Sequence, residues 1–322
     1  MQVRHSVMVG VLGRYADRFH EYQPPRAFAG NLELARRIAG ADGIEVVYPQ
    51  DFADVDETIR LIERSGLPVS AVNVNVKSEA KWRTGSFTSP DPAIRAEAVR
   101  YLKVGMDLAR ELGAGMVTCC PLIDGWDYSF QVDYAKQWSW LVECISEAAR
   151  YRPEVKLSLE YKPFEARNSI VLPNLGTTLH LCNVVGQPNV GVTMDVGHAL
   201  TAGETPAASA TIALAAGRLF YVHFNDNNRL WDWDMIPATV HVWEVIETLF
   251  YLHRLNWSGW LSYDVFVKNG NPEEAIEATI AIMRELQAFV ESHAAELESI
   301  VQEGIPARNF KRLVPLLLRG RG

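Results

Sequence analysis

Short runs of β-branched and aliphatic residues alternate with longer amphipathic stretches eight times along this chain of 322 residues. Such alternation is typical of parallel strands joined by crossover helices. We predict strands over 6–12, 43–48, 68–76, 115–120, 155–161, 190–194, 219–224 and 259–265. The predicted helices span 31–40, 55–65, 92–112, 132–150, 175–185, 207–216, 240–254 and 272–293. Eight such units favour an α/β fold closed into a (β/α)8 barrel, the TIM-barrel architecture.

An open, doubly wound sheet is the competing α/β fold, and it fits the sequence less well because no GxGxxG or Walker-type segment is present. We therefore predict one barrel domain over 1–295 and a short C-terminal extension over 296–322. The extension carries Pro306, a basic group at 308–312 and an apolar stretch at 313–318. It either packs on a neighbouring subunit or covers its own barrel, and we expect a homo-oligomer, either a dimer or a tetramer.

Charge and composition exclude several classes of protein. The formal net charge of -8 and the pI near 5.6 oppose binding to a phosphate backbone, so no nucleic acid partner is predicted. No apolar run reaches the roughly 18 residues of a membrane span, so no membrane partner is predicted either. The cysteines, which lack disulfide or thiolate-metal spacing, are predicted to be buried without a role: Cys119, Cys120, Cys144 and Cys182. We predict a soluble cytoplasmic protein.

Four predicted strands end in a carboxylate or imidazole residue. Glu160, Asp195, His223 and Asp264 each close an apolar run. In a barrel of this kind the carboxyl ends of the strands form the functional face, so the four side chains converge there. Three hard oxygen ligands and one imidazole suit Mn²⁺, Co²⁺ or Mg²⁺, and Mn²⁺ is our first choice. Taken singly, each aspartate could equally be a helix N-cap.

A second set of ligands lies close to the first in the sequence. Asp195 and His198 are three residues apart across a glycine, which we interpret as a turn that presents both to one cation. Asp232 and Asp234 alternate with tryptophans, so in an extended loop both carboxylates face the same way. If Asp195 bridges the two sets, the site holds two cations. The competing interpretation of the Asp232 and Asp234 pair is a solvated acidic loop.

Lys162 follows Glu160 by two residues, so both side chains point into the barrel mouth if the strand end is extended. An ammonium there could stabilise a substrate oxygen that becomes negative during reaction, although an ordinary surface ion pair is the alternative. Aromatic residues in the predicted mouth loops offer a wall for the C–H face of a sugar, and Trp126 is the one we assign to substrate binding.

These segments resemble the metal-binding segments of the xylose isomerase-like barrel superfamily. The resemblance rests on LEYKPFE (159–165), MDVGH (194–198), HFNDN (223–227) with the WDWD that follows, SYD (262–264) and GSFTSPDPAIRAEAV (85–99). Within the superfamily, the segments are most similar to L-rhamnose isomerases of the Pseudomonas type. In one respect the sequence departs from that pattern, because Thr88 is followed by Ser89 where such relatives carry a histidine. If an imidazole in the first half of the barrel opens the sugar ring, this chain needs another. His20, in the first loop, is a candidate replacement.

The resemblance implies a structural metal and a catalytic metal. The structural metal would be held by Glu160, Asp195, His223 and Asp264, and the catalytic metal by Asp195, His198, Asp232 and Asp234. Lys162 would contact a substrate oxygen, and we place Lys162 and Asp264 as catalytic residues. The implied activity is aldose–ketose isomerisation of an open-chain sugar, by a hydride shift between C1 and C2.

Three other functions stay open. A ketose 3-epimerase of the same superfamily would need bases on strands five and eight, but strand eight ends in Asp264 and Asp232 and Asp234 would have no task. A metal-dependent lyase or decarboxylase acting on a sugar acid could use the same scaffold. A sugar-binding module without activity would explain the aromatic residues but not seven convergent ligands. We assign no role to His241.

Overall fold

Eight parallel strands close into one barrel in the computed structural model, which describes residues 2–165 and 167–318. The strands are β1 (Gln2–Met8), β2 (Gly43–Tyr48), β3 (Val69–Val74), β4 (Met116–Cys119), β5 (Lys156–Glu160), β6 (Val190–Asp195), β7 (Leu219–His223) and β8 (Ser258–Tyr263). Each strand pairs with the next along the chain, and β1 pairs with β8 to close the ring. The predicted (β/α)8 barrel is confirmed.

Helices surround the barrel and connect its strands. They are α1 (Phe28–Arg37), α2 (Val55–Ser65), α3 (Pro92–Glu111), α4 (Tyr134–Tyr151), α5 (Leu175–Val185), α6 (Val196–Thr201), α7 (Pro206–Ala215), α8 (Val242–Arg254), α9 (Pro272–Ser292), α10 (Ala294–Glu303) and α11 (Pro306–Leu318). Side-chain caps fix several starts: the carboxylate of Asp91 accepts from the backbone N–H of Ala93, and the side chain of Asn271 accepts from that of Glu273. None of the helices in the described ranges is long and apolar enough to cross a membrane.

The first strand lies earlier than the sequence predicts. β1 spans Gln2–Met8, and the apolar residues that continue the pattern, Val9–Leu12, form a 3-10 helix instead. Val9, Val11 and Leu12 are buried in this helix, so their hydrophobicity reflects packing against the core rather than a strand.

The connection after β6 also differs from prediction. The segment that begins with Val196 and includes Gly197 forms the short helix α6, not a turn. A side chain at Gly197 would have its Cβ only 1.9 Å from Asn225 Oδ1, so this glycine is required for close packing rather than for turning the chain.

The barrel interior is lined by hydrogen-bonded polar side chains. The hydroxyl of Ser70 lies 2.6 Å from those of both Ser6 and Tyr221, and the hydroxyls of Ser158 and Thr193 lie 2.7 Å apart. All five residues are buried, so these contacts satisfy groups that would otherwise be costly to remove from water. The apolar core lies mainly between the strands and the surrounding helices.

The described part of the C-terminal extension folds back on its own barrel. Phe310 of α11 contacts the ring of Trp243 of α8 edge-on, with centroids 5.6 Å apart, and Glu298 of α10 pairs with Arg254 of α8 at 2.9 Å. Phe310 and Val314 are still 48% and 39% exposed, and their contact with a neighbouring subunit stays a prediction. The boundary at 295/296 stays a prediction, because α10 begins at Ala294.

Candidate metal centre

Four strand-end side chains meet at the carboxyl end of the barrel. One ligand atom from each of Glu160, Asp195, His223 and Asp264 lies within 4.8 Å of the other three. Their strands β5, β6, β7 and β8 are consecutive neighbours in the barrel, and Asp264 directly follows the last residue of β8. Parallel register thus brings together residues that are up to about a hundred positions apart in the sequence, as the strand-end pattern predicts.

His223 presents one ring nitrogen to the carboxylates of this group. Its Nδ1 lies 3.5 Å from Glu160 Oε1, 3.6 Å from Asp264 Oδ2 and 3.9 Å from Asp195 Oδ2. This buried Nδ1 has no hydrogen-bond partner within the described residues. A buried nitrogen that faces three carboxylates without a partner is a natural cation ligand.

The other ring nitrogen of His223 is held by Glu45, which the sequence analysis missed. Glu45 Oε2 lies 2.9 Å from His223 Nε2 and also accepts from Ser262 Oγ at 2.8 Å. Thr118 Oγ1 donates to Oε1 at 2.7 Å, and the residue is completely buried in β2. Burial raises the pKa of the Glu45 carboxyl, but His223 and the hydroxyl donors outweigh burial and hold the pKa below its usual range. The only sequence signal was an acid within the apolar run GIEVVY.

A second group shares Asp195 with the first. Asp195, His198 and Asp232 also bring one ligand atom each within 4.8 Å of one another. Asp232 Oδ2 lies 3.0 Å from His198 Nε2, and His198 Nδ1 lies 3.1 Å from Glu160 Oε1. The Asp232 side chain is only 6% exposed, so the alternative of a solvated acidic loop is wrong for this residue.

Asp195 directs one oxygen towards each histidine. Its Oδ1 lies 4.0 Å from His198 Nδ1, and its Oδ2 lies 3.9 Å from His223 Nδ1. Oδ1 also accepts from the backbone N–H of His198 at 2.7 Å, so Asp195 caps helix α6 as well. Asn225 Nδ2 donates to Asp195 Oδ2 at 2.9 Å and to Asp264 Oδ1 at 3.0 Å, which fixes both carboxylates. This geometry suits a carboxylate that bridges two cations.

Asp234 lies near the cluster but belongs to neither group. The sequence predicted an extended loop over 231–234, in which the carboxylates of Asp232 and Asp234 face the same way. The φ of Asp234 is 48°, so the backbone is not extended at this residue and that reason for a shared direction is lost. Burial and the charges of Asp232 and Asp264 raise the pKa of the Asp234 carboxyl well above its usual range. Asp234 as a metal ligand stays a prediction.

Lys162 makes a buried ion pair with the second group. Its Nζ lies 2.8 Å from Asp232 Oδ2 and also contacts the carboxylate of Glu165, and the side chain is 9% exposed. Burial lowers the pKa of the lysine, but the two carboxylates outweigh it and hold the pKa well above its usual range. Lys162 is therefore a fixed positive charge beside the cluster and not a surface ion pair.

The electrostatics of the cluster fit divalent cations. Burial, together with carboxylate neighbours, raises the pKa of the Asp195 and Asp264 carboxyls, whereas the charges of His223 and His198 outweigh burial at Glu160 and lower its pKa. Besides His223 Nδ1, three buried polar atoms of this cluster lack a hydrogen bond to any described residue: His198 Nδ1, Asp232 Oδ1 and Asn225 Oδ1. Crowded buried carboxylates and unpartnered nitrogens are stabilised by cations, so the residues present fit a divalent metal.

Trp126 and Thr88 contact residues outside the two ligand groups. The Trp126 ring packs on Tyr134 with centroids 4.7 Å apart and lines a cavity that contains none of the cluster residues. Trp231, next to Asp232, packs against Phe164 with centroids 5.8 Å apart. Thr88 donates through its backbone N–H and its Oγ1 to Asp124 Oδ1, both at 2.7 Å. The substrate role of Trp126 and the ring-opening role of His20 stay predictions.

Comparisons with known proteins confirm the family. The chain belongs to the family described as "Xylose isomerase-like TIM barrel", which matches residues 32–286. A xylose isomerase from Thermus thermophilus is 31% identical over 172 residues, which are 52% of this chain and 44% of that protein. A xylose isomerase from Thermus caldophilus is 31% identical over 171 residues, again 52% of this chain and 44% of that protein. The chain thus spans less than half the length of these curated relatives.

Solved structures share the fold at lower identity. An L-ribulose 3-epimerase aligns with a TM-score of 0.71 and 19% identity, over 92% of this chain and 98% of that one. A xylose isomerase domain protein from Alicyclobacillus acidocaldarius aligns with a TM-score of 0.67 and 18% identity, over 89% and 98% of the two chains. The neighbours thus carry names of both isomerases and epimerases, and the similarity to L-rhamnose isomerases in particular stays a prediction.

Proposed function

We propose that this protein is a metal-dependent aldose–ketose isomerase that uses two divalent cations. The observation that carries the proposal is the second ligand group, in which Asp232 and His198 lie against Asp195 beside the four strand-end ligands. The family relationship and the xylose isomerases among its relatives support a sugar as substrate.

The residues divide between two cations as follows. Glu160, Asp195, His223 and Asp264 would hold the first, and Asp195, His198 and Asp232 the second. We propose Asp234 as a further ligand of the second cation. Oxygen and imidazole donors favour Mn²⁺, Co²⁺ or Mg²⁺, with Mn²⁺ as our first choice. Bound at these residues, the cations would supply Lewis-acid stabilisation of negative charge on adjacent oxygens of the sugar, the charge that builds up in a hydride shift between C1 and C2.

Lys162 would stabilise charge on the substrate, and buried residues around the ligands would hold the ligands in place. The ammonium, fixed beside Asp232 at 2.8 Å, adds positive charge where a substrate oxygen becomes negative. Glu45 and Asn225 orient His223, Asp195 and Asp264, so the ligands need little rearrangement during reaction. Trp126 remains our candidate for a sugar-facing aromatic residue.

A ketose 3-epimerase is the second candidate, since several solved neighbours carry that name. Proton removal and return at one carbon needs two opposed bases. Oδ1 of Asp264 accepts from Asn225 Nδ2 at 3.0 Å, and Oδ2 lies 3.6 Å from the unpartnered His223 Nδ1 within the first ligand group, which supports a ligand role for Asp264 over that of a base. Asp232 would have no function with one cation. A lyase or decarboxylase acting on a sugar acid is the third candidate.

The test is a screen of aldoses and ketoses with EDTA-stripped protein and added Mn²⁺, in which C1/C2 isomers and C3 epimers are measured separately. We expect C1/C2 products, and we expect the double variant Asp232→Asn with Asp234→Asn to abolish them. The matched control, Asp127→Asn with Asp133→Asn, removes the same charge from a mouth loop outside both ligand groups and should keep activity. Full activity in the first double variant would contradict the two-metal proposal, and absence of turnover on every neutral sugar would favour the lyase.

We further infer a cytoplasmic homo-oligomer, either a dimer or a tetramer. Four free, buried cysteines support a reducing compartment. The half-exposed apolar residues Phe310 and Val314 of α11 support an intersubunit contact, which sedimentation of the purified chain will test.

A further inference from the structure

Cys120 lies at the mouth of the barrel with its side chain on the inner face. Thr118 of β4 points inward, because its Oγ1 donates to the buried Glu45 carboxylate. Side chains two apart along a strand lie on the same face, so Cys120, directly after β4, faces inward and Cys119 faces the helices. The pairing of Cys119 with Leu159 then places Cys120 beside Glu160.

The thiol is close to ligands of both proposed cations. Cys120 Sγ, a carboxylate oxygen of Glu160 and a ring nitrogen of His198 all lie within 4.8 Å of one another. His198 is 4% exposed, and its Nδ1 lies 3.1 Å from Glu160 Oε1 without being aligned as a hydrogen bond. A buried, unpartnered nitrogen thus faces the same space as the sulfur and the carboxylate.

We propose that Cys120, Glu160 and His198 form a third coordination set, specific for a thiophilic divalent cation such as Zn²⁺. Thiolate sulfur and imidazole nitrogen are the donors that Zn²⁺ prefers, whereas Mn²⁺ and Mg²⁺ prefer oxygen. Binding forms an S–Zn bond and releases the thiol proton to solvent, so no oxidation or reduction is involved.

The third set excludes the two-metal arrangement. It takes Glu160 from the first group and His198 from the second, so a cation bound to Cys120 removes one ligand from each. Zn²⁺ should therefore inhibit the enzyme by competing with Mn²⁺. This consequence rests on the proposed function, whereas the coordination of Zn²⁺ by Cys120 does not.

The first experiment titrates the EDTA-stripped full chain with Cd²⁺, a thiophilic divalent cation that gives an ultraviolet charge-transfer band when bound to thiolate but not when bound to oxygen and nitrogen alone. Wild type and Cys119→Ser should show the band, and Cys120→Ser should lack it. The control is closely matched, since Cys119 is an adjacent buried thiol on the opposite face. Absence of the band in wild type, or its persistence in Cys120→Ser, would overturn the proposal. Circular dichroism establishes that each variant is folded.

Two further measurements follow Zn²⁺ itself, the first of them on the wild-type protein alone. X-ray absorption of wild-type protein with one equivalent of Zn²⁺ should show a sulfur neighbour at about 2.3 Å, and a shell of nitrogen and oxygen alone at about 2.0–2.1 Å would overturn the proposal. Calorimetry should show Zn²⁺ affinity at least about tenfold weaker in Cys120→Ser, because a direct ligand is lost. If the sulfur is seen but no sugar turns over with Mn²⁺, the coordination proposal stands and the isomerase proposal fails.

Discussion

The Oε2 atom of Glu45 lies 2.9 Å from Nε2 of His223, so a carboxylate on β2 holds an imidazole on β7 inside the barrel. Since Glu45 is ionised, Nε2 carries a proton, and Nδ1, which faces Glu160, Asp195 and Asp264, is the nitrogen that a cation would take in place of a proton. In the proposed two-cation site, Glu45 would thus be a positioning residue for the first cation and not itself a ligand.

Replacing Glu45 by glutamine should weaken Mn²⁺ binding by about 10- to 100-fold, because the charge that fixes the His223 tautomer is lost. Calorimetric titration of the EDTA-stripped protein measures this. The matched control is Asp124→Asn, which neutralises another fully buried carboxylate that binds Ser86 and Thr88 and lies outside both ligand groups. The control should change thermal stability but not Mn²⁺ affinity. Equal weakening in both variants would show that Glu45 has only a structural role.

Replacing Asp232 by asparagine should reduce tight Mn²⁺ binding from two ions to one, because Asp232 belongs only to the second ligand group. The variant Asp195→Asn should impair both ions, since each oxygen of Asp195 faces a different histidine. Metal content after gel filtration, measured by mass spectrometry, checks the stoichiometry. Two tightly bound ions in Asp232→Asn would disprove the assignment of this residue.

Replacing Lys162 by methionine should lower kcat by about 10²- to 10³-fold with little change in KM, because the ammonium acts on charge that develops during reaction. Thermal stability should also fall, since Asp232 then loses a buried partner at 2.8 Å. Lys156→Met is the control, because Lys156 begins the same strand and is exposed. An unchanged kcat in Lys162→Met would contradict the catalytic role and show that the ion pair of Lys162 with Asp232 is only structural.

Asp51 should make the stability of the protein depend on pH. Burial raises the pKa of its carboxyl to about 6, against 3.8 as the ordinary value. The folded state therefore favours the protonated form, so this stabilisation is present below about pH 4 and is lost as pH rises to about 6. Relative to Asp51→Asn, the free energy of unfolding of wild type should fall by about 2 kcal/mol over that range. Urea unfolding of both proteins at several pH values measures the difference, and parallel curves would refute the assignment.

The strand-end rule explains why much of the site could be predicted from sequence. Glu160, Asp195, His223 and Asp264 each close an apolar run, and a parallel barrel brings such residues together whatever the details of its loops. Asp232 could be included because aromatic residues flank it. The alternation of runs and helices likewise predicted the barrel, with errors at element ends, at Val9–Leu12 and at α6, where a turn was expected.

Residues whose partners depend on register across the barrel could not be predicted in this way. Glu45 lies within β2 and meets β7, and no local pattern links the two strands. The inward position of Cys120 follows only from the contact between Thr118 and Glu45. Asp234 shows a different limit of sequence reasoning. Its spacing from Asp232 suggested an extended loop with both carboxylates on one side, but a residue with φ of 48° is not extended.

The central claim is that two cations sharing Asp195 support transfer of hydride between C1 and C2. Its most direct test is to incubate Mn²⁺-loaded protein in ordinary water with an accepted aldose carrying deuterium at C2, and to locate the deuterium in the ketose by NMR. Intramolecular hydride transfer predicts that the label is retained at C1. Loss of the label to water, or a product altered at C3, would contradict the account.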